Sequence, residues 1–452
     1  MTGRALHKIK KAVLPVLFTF SLALGISCAD AQQASTPEIK LSLKEAITLA
    51  KSQNIAIGVA RQEEKAANED MADARNGMLP SIAVNAGYQR YTKLTLFENG
   101  LHNAYSIDRK PSANGASQST EMAFNLYSGG KNRALIQERQ AGKYLAGINS
   151  RDQAGNTSLQ LVFRYLELVK LFNQRKLITD QSERARTRLK TINALYKNQR
   201  ITRSDVLRAE LVLANVQLDS IHNQNDITIA NNKVSVLLHL PDNTHILPAD
   251  SANMNRPDPE ELARLTGSGE QGSYAVQRTG ALANIQSARL KGIKGNAMPT
   301  ATLVSAYGFS YPNYLFFPPV DQLYSIGYIG AKVSYNLSSL YHNKHKVTAA
   351  EIRLDEIRQE QQLVQDNTRE ELKALLIRYN ESLNRVAVMR QSIVQAGVNY
   401  RIVNTKYFNQ LALLTDLLDA DNLYQEASYN LISAETEASL IYYNLLYTTG
   451  NL

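Results

Sequence analysis

The segments YKNQRITRSDVL at 196–207 and YFNQLALLTDLL at 407–418 decide the fold, because they are two copies of one turn. In both, a tyrosine and an Asn-Gln pair precede an aspartate, and the matched positions are separated by 211 residues. The aspartate has the position of an acidic residue in the first turn of a new helix, where the helix dipole stabilises a carboxylate. The sequence therefore predicts two helical hairpins of the same design.

The duplication extends beyond these turns. The triplet FNL at 124–126 recurs as YNL at 335–337 with the same separation of 211 residues. Pro80 and Pro299 are matched as well, but they are 219 residues apart. The loop between about 92 and 117 is therefore eight residues longer in the first copy.

These matches predict two structural repeats, at 39–240 and 273–450. Each repeat is expected to run in the order helix, strand, loop, strand, very long helix, tip turn and return helix. Segment 241–272 is rich in proline and glycine, which predicts a loop-rich junction between the repeats. Capping-box spacing predicts helix starts at Ser42 with Glu45 and at Asp258 with Glu261.

Apolar residues in the helical segments recur with steps of three and four, which predicts coiled-coil seams. No proline occurs between Gly130 and Lys197, a length of roughly 100 Å at about 1.5 Å per residue. Such a rod must pack on other helices and on copies of itself. The predicted seam positions are Leu159, Val162, Leu166, Val169, Ala185, Leu189, Ile192 and Tyr196; Leu207, Leu211, Ala214, Leu218 and Ile221; Leu372, Leu376, Tyr379, Leu383 and Val386; and Leu417, Tyr424, Leu431, Ala438 and Leu445.

The predicted strands alternate apolar residues with small or polar ones over about ten residues, as strands of a transmembrane β-barrel do. A soluble β-sandwich would show the same alternation, so the strands alone leave both interpretations open. The alternating apolar rows are Ile82, Val84, Ala86 and Tyr88, and Ile329, Ala331, Val333, Tyr335 and Leu337. Aromatic residues that suit a membrane interface cluster at the strand ends and loops: Tyr88, Tyr91, Tyr307, Phe309, Tyr311, Tyr314, Phe316, Phe317 and Tyr324.

Four strands cannot close a barrel, and an open sheet edge cannot lie in lipid. If the strands enter a membrane, several chains must share one barrel, and three chains would supply twelve strands.

Residues 1–31 have the pattern of a secretory signal: a cationic start, an apolar core and an Ala-Asp-Ala cleavage site. Removal of the segment would lower the formal charge from +9 to +6 and would also remove Cys28, the only cysteine. The alternative is that Cys28 becomes a lipid-modified N-terminus. Export argues against nucleic acid as a partner, and one cysteine excludes a cysteine-built metal site. No other segment is apolar enough for a membrane-spanning helix, so the exported chain is periplasmic, released, or inserted in an outer membrane as strands.

The signal, the duplication, the proline before each first strand and the LYSGGK segment at 126–131 together resemble the TolC-type outer-membrane efflux proteins. The resemblance covers 39–450. It implies a mixed, mostly helical fold: a homotrimer with a 12-stranded β-barrel in the outer membrane of a Gram-negative bacterium, continued by an α-barrel of long helical hairpins across the periplasm. It also implies a passive exit duct for tripartite efflux or type I secretion. The implied partners are a periplasmic adaptor (membrane fusion) protein, an inner-membrane pump such as an RND transporter, and outer-membrane lipid.

The resemblance assigns adaptor docking to the tip turns. The corresponding residues are Asn198, Gln199, Arg200, Ser204 and Asp205 in the first copy, and Asn409, Gln410, Leu411, Thr415 and Asp416 in the second. The tip glycine usual in the family is replaced by Gln199 and Gln410, and we expect the turn to shift by one residue onto Asn198 and Asn409, since asparagine tolerates a left-handed conformation. For Asp205 and Asp416, helix capping is a sufficient explanation.

The tip-proximal polar residues Asn399, Arg401, Asn404 and Lys406 are candidates for a periplasmic constriction. Basic residues dominate both tip segments, and acidic residues are absent from 382–415 and 184–204. One interpretation is a solvated basic face. The other is an electropositive mouth that favours anionic solutes or an acidic adaptor tip.

No pattern of catalytic residues stands out, and we predict no enzymatic activity, no cofactor and no metal site. His342 and His345 are three residues apart, but the nearest carboxylate that follows is Glu351. The alternative function is a periplasmic or surface coiled-coil scaffold or adaptor, which would need the seams but not the lipid-compatible strands.

Overall fold

The computed structural model of the chain describes residues 38–92, 95–97, 100–106, 113–250, 259–313, 315 and 320–452. The predicted signal segment 1–31 lies outside these residues, as do the predicted cap Asp258 and the aromatic residues Tyr314, Phe316 and Phe317.

The first half of the chain contains two helices, two long strands separated by a small hairpin, and a long helical hairpin. The elements are β1 (Glu38–Leu41), α1 (Leu43–Gln53), α2 (Ile55–Asn76), β2 (Ser81–Arg90), β3 (Thr95–Phe97), β4 (Ala104–Ser106), β5 (Asn114–Tyr127), α3 (Lys131–Lys197) and α4 (Arg203–Leu238).

The second half repeats this order with small differences. Its elements are β6 (His245–Pro248), α5 (Pro259–Gly272), α6 (Tyr274–Gly295), β7 (Thr300–Tyr311), β8 (Tyr324–Ser334), α7 (Ser339–His342), α8 (Lys344–Phe408) and α9 (Leu414–Thr448). The segment 241–272, predicted to be loop-rich, thus contains β6 and α5. No helix in the described part of the chain has an apolar stretch long enough to cross a membrane.

Asn54 divides the helix that the sequence predicted as one. Its backbone is extended, and its side-chain oxygen accepts hydrogen bonds from the amides of Ala56 (2.9 Å) and Ile57 (3.4 Å). This N-cap starts α2. The side-chain amide donates to the carbonyl of Leu237 at 2.9 Å, which ties the break to the end of α4. Ser273, 219 residues later, lies at the corresponding break between α5 and α6, but its side chain does not cap α6.

The long strands form one antiparallel sheet in the order β2-β5-β7-β8, with β2 and β8 at its edges. The register places residues of one parity together across the sheet: Ile82 pairs with Met122, Met122 with Ser305, and Ser305 with Ile329. This face carries the predicted apolar rows. The opposite face carries mostly small and polar residues such as Asn85, together with Ile326 and Tyr328 on β8. In the single chain the apolar side chains are exposed, with Ile329 and Val333 both at 73%.

The last strand differs from its predicted extent, because β8 ends at Ser334 and leaves Tyr335 and Leu337 outside the sheet. The side-chain oxygen of Asn336 accepts hydrogen bonds from the amide (3.2 Å) and hydroxyl (2.7 Å) of Ser338. This local turn competes with the strand and starts α7.

A compact core joins α1, α3 and α4 to a two-stranded parallel sheet of β1 and β6. The side chain of Asn231 on α4 donates to the carbonyl of Thr244 (2.7 Å) and accepts from the amide of Ile246 (2.8 Å). The buried Tyr165 hydroxyl lies 2.7 Å from the carbonyl of Leu41 and 3.0 Å from the carboxylate of Asp250. These bonds fix the end of the first repeat against its own long helices.

The predicted seams are correct for α9, where Leu417, Ala438 and Leu445 are buried. On α8 the seam runs partly through neighbouring positions: Leu375 and Ser382 are buried, while the predicted Leu376 and Leu383 are only half-buried. On α4 the stripe that packs within the chain differs from the predicted seam, whose packing against another copy stays a prediction. Val206, Ala209 and Val216 are buried there, whereas the predicted residues are exposed: Leu207 (52%), Leu211 (61%), Ala214, Leu218 (52%) and Ile221 (60%). The α4 helix therefore has two apolar stripes, and only one of them packs within the chain.

Candidate functional site

The two tip turns lie together at the far end of the long hairpins. The turn between α3 and α4 spans 198–202, and the turn between α8 and α9 spans 409–413. The two return helices are 36 and 35 residues long, so both hairpins reach similar distances. An apolar cluster, which we call the tip cluster, packs the hairpins against each other just inside the turns. Its members are Ile192, Val206, Ala209, Tyr407, Leu414, Leu417 and Leu418.

In the first tip, α3 ends in a Schellman motif. The amide of Arg200 donates to the carbonyl of Leu195 at 3.0 Å, and the amide of Gln199 donates to the carbonyl of Tyr196 at 2.8 Å. Gln199 itself has the left-handed conformation, with φ of 58°.

The second tip repeats this geometry. The amide of Leu411 donates to the carbonyl of Lys406 at 2.8 Å, the amide of Gln410 donates to Tyr407 at 2.9 Å, and φ of Gln410 is 63°. The expectation that the turn would shift onto the asparagines was wrong, because Asn198 and Asn409 have φ of −86° and −89°. The backbone hydrogen bonds of the motif determine which residue is left-handed. Gln199 and Gln410 therefore adopt a positive φ that is strained for a residue with a Cβ.

The return helices start with different caps. In the first tip the hydroxyl of Thr202 accepts from the amide of Asp205 (3.3 Å), and the carboxylate of Asp205 accepts from the amide of Thr202 (3.1 Å). This is a capping box. In the second tip Leu413 replaces the threonine, and only the bond from its amide to the carboxylate of Asp416 remains, at 3.0 Å. Both aspartates have the capping role that the sequence indicated.

Tyr407 carries the contact between the hairpins. It is 9% exposed and packs in the tip cluster, and burial raises the pKa of its hydroxyl, with the charge of Asp205 adding to the shift and that of Arg188 opposing it. Its equivalent in the first copy, Tyr196, is 41% exposed. The duplicated tyrosines therefore have different environments.

A buried ion pair joins the hairpins above this cluster. Nη2 of Arg188 on α3 lies 2.6 Å from Oδ2 of Asp421 on α9, and both side chains are 5% exposed. Nε of Arg184 lies 3.2 Å from Oδ1 of the same carboxylate, and its Nη2 lies 3.2 Å from the side-chain oxygen of Gln425. We call this group the hairpin clamp. The sequence missed it because the acid lies on another helix, more than 200 residues from the arginines.

Aromatic rings extend the hairpin clamp to α8. The guanidinium of Arg184 lies 5.7 Å from the ring centre of Tyr400 and 5.8 Å from that of Tyr424. The two rings are stacked, with centres 6.0 Å apart. Such contacts favour a cation over an aromatic face, so Arg184 connects α3 with both helices of the second hairpin.

The basic residues near the tips are less uniform than the sequence indicated. Arg385 and Arg390 pair with Glu437 and Glu435 on α9, each at 2.8 Å. Arg401 and Lys406 are exposed and line one shallow depression on α8.

The four constriction candidates lie on more than one face of α8. Asn404 lines a groove towards α3 together with Arg184, on a different face from the depression that Arg401 and Lys406 line. Asn399 is exposed. Their role as a constriction stays a prediction.

The left-handed glutamines lead to a test of the tip turns. Replacing Gln199 or Gln410 by glycine should stabilise each tip by about 1 kcal/mol, because a residue with a Cβ is strained at positive φ. Slower amide hydrogen exchange at 195–205 or 406–416 would measure the gain. Asn198→Gly is the matched control: it places glycine one position earlier, at negative φ, and should not slow exchange. Equal effects at 198 and 199 would contradict the assignment.

No protein-family model matches the sequence, and no curated protein matches it. Solved structures match over most of the chain. The outer membrane protein VceC from Vibrio cholerae is 17% identical, with 90% of this chain and 96% of that chain covered and a TM-score of 0.74.

Two further matches are outer membrane channels. The Campylobacter jejuni channel CmeC is 13% identical, with 90% and 85% of the two chains covered and a TM-score of 0.73. The open state of the Neisseria gonorrhoeae channel MtrE is 14% identical, with 90% and 88% covered and a TM-score of 0.73. The chain therefore has the fold of the TolC-type outer-membrane channels, which confirms at the level of the fold the resemblance inferred from its sequence.

Proposed function

We propose that three copies of this chain form a channel in the outer membrane of a Gram-negative bacterium, continued by a helical duct through the periplasm. The observation that carries the proposal is the four-stranded sheet: it has two open edges and an exposed apolar face. A sheet edge leaves backbone N–H and C=O groups unpaired, and lipid offers them no partner. Pairing β8 of one copy with β2 of the next satisfies these groups, and three copies close a barrel of twelve strands.

The two faces of the sheet suit lipid on one side and water on the other. Ile82, Val84 and Tyr88 are 67–69% exposed on the apolar face, as expected of side chains that contact acyl chains. The opposite face presents mostly small and polar residues, with Glu121 on β5 and Lys332 on β8 as its charged members within the described strands; β8 also places Ile326 and Tyr328 there. The barrel would therefore enclose a wet lumen.

The helices support the same assembly. Leu207, Leu211 and Leu218 on α4 are each more than half exposed, and α8 exposes Ile377 (68%), Val388 (56%) and Val394 (64%). Contiguous exposed apolar patches on a protein surface mark interaction sites. Packing α4 of one copy near α8 of the next would bury both stripes and close six hairpins into an α-barrel.

In this proposal the duct is passive, and the inner-membrane pump supplies the energy for transport. The chain would serve as the exit component of a tripartite efflux or type I secretion system, with a periplasmic adaptor at the tips and an inner-membrane pump such as an RND transporter behind it. A coiled-coil scaffold or adaptor is the second candidate, but such a protein has no use for a sheet that is apolar on one exposed face.

Extraction and conductance test the proposal. We expect the protein to resist salt and carbonate washes, to dissolve in detergent as a trimer, and to form ion-conducting pores in planar bilayers. Leu211→Glu with Leu218→Glu should abolish the trimer, since charges would enter the interface between copies. Glu210→Gln, at an exposed neighbouring position, is the control. A monomer without conductance, or a protein released by carbonate, would contradict the channel.

We further propose that the hairpin clamp holds the duct closed. Opening would slide the second hairpin against the first, and Asp421 is the acid that joins them. Nη1 of Arg188 and Nε2 of Gln425 are buried and have no hydrogen-bond partner in the described part of the chain. A buried pair with unmet donors contributes little net stability, which suits a joint that must separate.

Asp421→Ala should therefore raise the open probability of single channels, because it leaves both arginines of the hairpin clamp without their acid. Removing one member of a buried pair costs about 3–5 kcal/mol, enough to shift a closed state. Glu437→Ala is the matched control, since it breaks the ion pair with Arg385 inside the second hairpin and leaves the joint intact. Unchanged gating in Asp421→Ala would remove the hairpin clamp from the mechanism.

The exposed cations at the mouth predict anion preference. Arg401 and Lys406 lie on one side of α8 near the tip, and a narrow mouth concentrates the field of such charges. Reversal potentials in a salt gradient should shift towards cation preference in Arg401→Glu. Arg353→Glu makes the same charge change far from the tip and should leave selectivity as it is. If both variants retain the ion selectivity of the unmodified channel, the basic residues form a solvated surface that does not influence selectivity.

A further inference from the structure

The two tips have the same backbone conformation but different exposed side chains. Both turns are Schellman motifs with a left-handed glutamine, so their residues correspond one by one at a separation of 211. Arg200 corresponds to Leu411, and Thr202 corresponds to Leu413. The difference is therefore in the side chains and not in the shape of the turn.

The first tip is cationic. Lys197, Arg200 and Arg203 are exposed, and none of the three forms an ion pair within the residues that the structure describes. The nearest acid in sequence, Asp205, is engaged with the amide and hydroxyl of Thr202 at 3.1 and 2.8 Å. The positive charge of this tip is thus available to a partner.

The second tip is apolar. Leu411 and Leu413 are 75% and 70% exposed, although neighbouring Leu414 is 5% exposed in the tip cluster. Both exposed leucines lie in the turn itself, past the last residue of α8 and before the first residue of α9. Copies packed alongside would contact the stripes on the sides of the helices. The end of the hairpin is covered only by something that lies beyond it.

We infer that the two tips bind one kind of partner through separate interactions: a protein surface that carries apolar side chains flanked by carboxylates. The apolar tip would bury the partner's apolar residues, which governs how long the complex lasts. The cationic tip would pair with the carboxylates, which governs the rate and the orientation of docking. This inference rests on the proposed channel, because only an assembly with its tips free in the periplasm offers this end to a partner.

Because the hairpin is duplicated, cationic and apolar tips would alternate around the mouth of the channel. Each chain contributes one cationic and one apolar tip, so a closed trimer would present three of each in turn around its mouth. A partner that binds both must place its carboxylates and its apolar residues next to each other, at the spacing of two adjacent hairpins. A uniformly acidic or uniformly apolar surface would engage only every second tip.

Disulfide-closed helical hairpin peptides serve as the probe, with two leucines in the turn flanked by glutamates, by lysines or by glutamines. Fluorescence anisotropy would measure their binding to the detergent-solubilised full-length protein. We expect the glutamate probe to bind about tenfold more tightly than the lysine probe at about 0.05 M salt, and the difference to vanish near 1 M salt, where charges are screened.

Variants separate the two interactions. Arg200→Glu with Arg203→Glu should invert the preference between glutamate and lysine probes, while Arg133→Glu with Arg353→Glu, the same charge change on helix segments far from the tips, should retain it. Leu411→Ser with Leu413→Ser should weaken all three probes by a similar factor and leave their order unchanged.

The inference is overturned if no probe binds, if the glutamate and lysine probes bind equally, or if Leu411→Cys forms a disulfide between copies. The last result would mean that the leucines of different copies cover one another. Conductance of the same samples in planar bilayers separates this failure from that of the channel: pores without a probe preference refute only the division between the tips, whereas a preparation without pores refutes the channel.

Discussion

Unpaired backbone groups at the two edges of the β2-β5-β7-β8 sheet are the constraint on which the rest depends. Water can satisfy these groups, and lipid cannot. The apolar face with Ile329 and Val333 is poorly suited to water, so the sheet calls for a hydrophobic environment and for edge partners together. In the proposed assembly, copies of the same chain would supply both edge partners, since β2 and β8 are antiparallel ends of one four-stranded unit. The proposed trimer thus follows from backbone hydrogen bonding at the sheet edges. The helices must then pack against the same neighbouring copies.

The α4 helix has two apolar stripes, which would let it pack both within its own chain and against a neighbouring copy. On α4, Val206 and Val216 pack within the chain, while Leu211 and Leu218 face outwards. A helix with apolar residues on two faces needs a neighbour on each side. Since the hairpins are joined by the tip cluster and the hairpin clamp, each chain forms one pair of hairpins, and its outer sides are the surfaces that the proposed neighbouring copies would cover.

The sequence predicted the parts of the fold that depend on local pattern. The duplication, the helix from Lys131 to Lys197 and the position of β2 were all readable, because turn chemistry and alternation are local signals. The sequence left the answer open, or favoured the wrong one, where two answers fit equally well. The α4 segment has two apolar stripes, and periodicity alone could not tell which one packs internally. The tip turn was predicted on Asn198 from residue preference, but the hydrogen bonds of the Schellman motif select Gln199. The hairpin clamp could not be predicted from the sequence, because Asp421 contacts Arg188 only when α3 packs on α9.

The tip turns explain how one duplicated backbone acquired two chemistries. A Schellman motif is held by main-chain hydrogen bonds, so its side chains are free to change provided one residue tolerates positive φ. The turn residues Arg200 and Leu411 occupy the same place in this motif and neither takes part in it through its side chain. The helix starts show the same freedom, because Leu413 loses the hydroxyl of a capping box while Asp416 retains the bond to its amide. Backbone bonding therefore preserves the shape that the proposed closed ring of hairpins would require, and it leaves the outward side chains to distinguish one hairpin from the next.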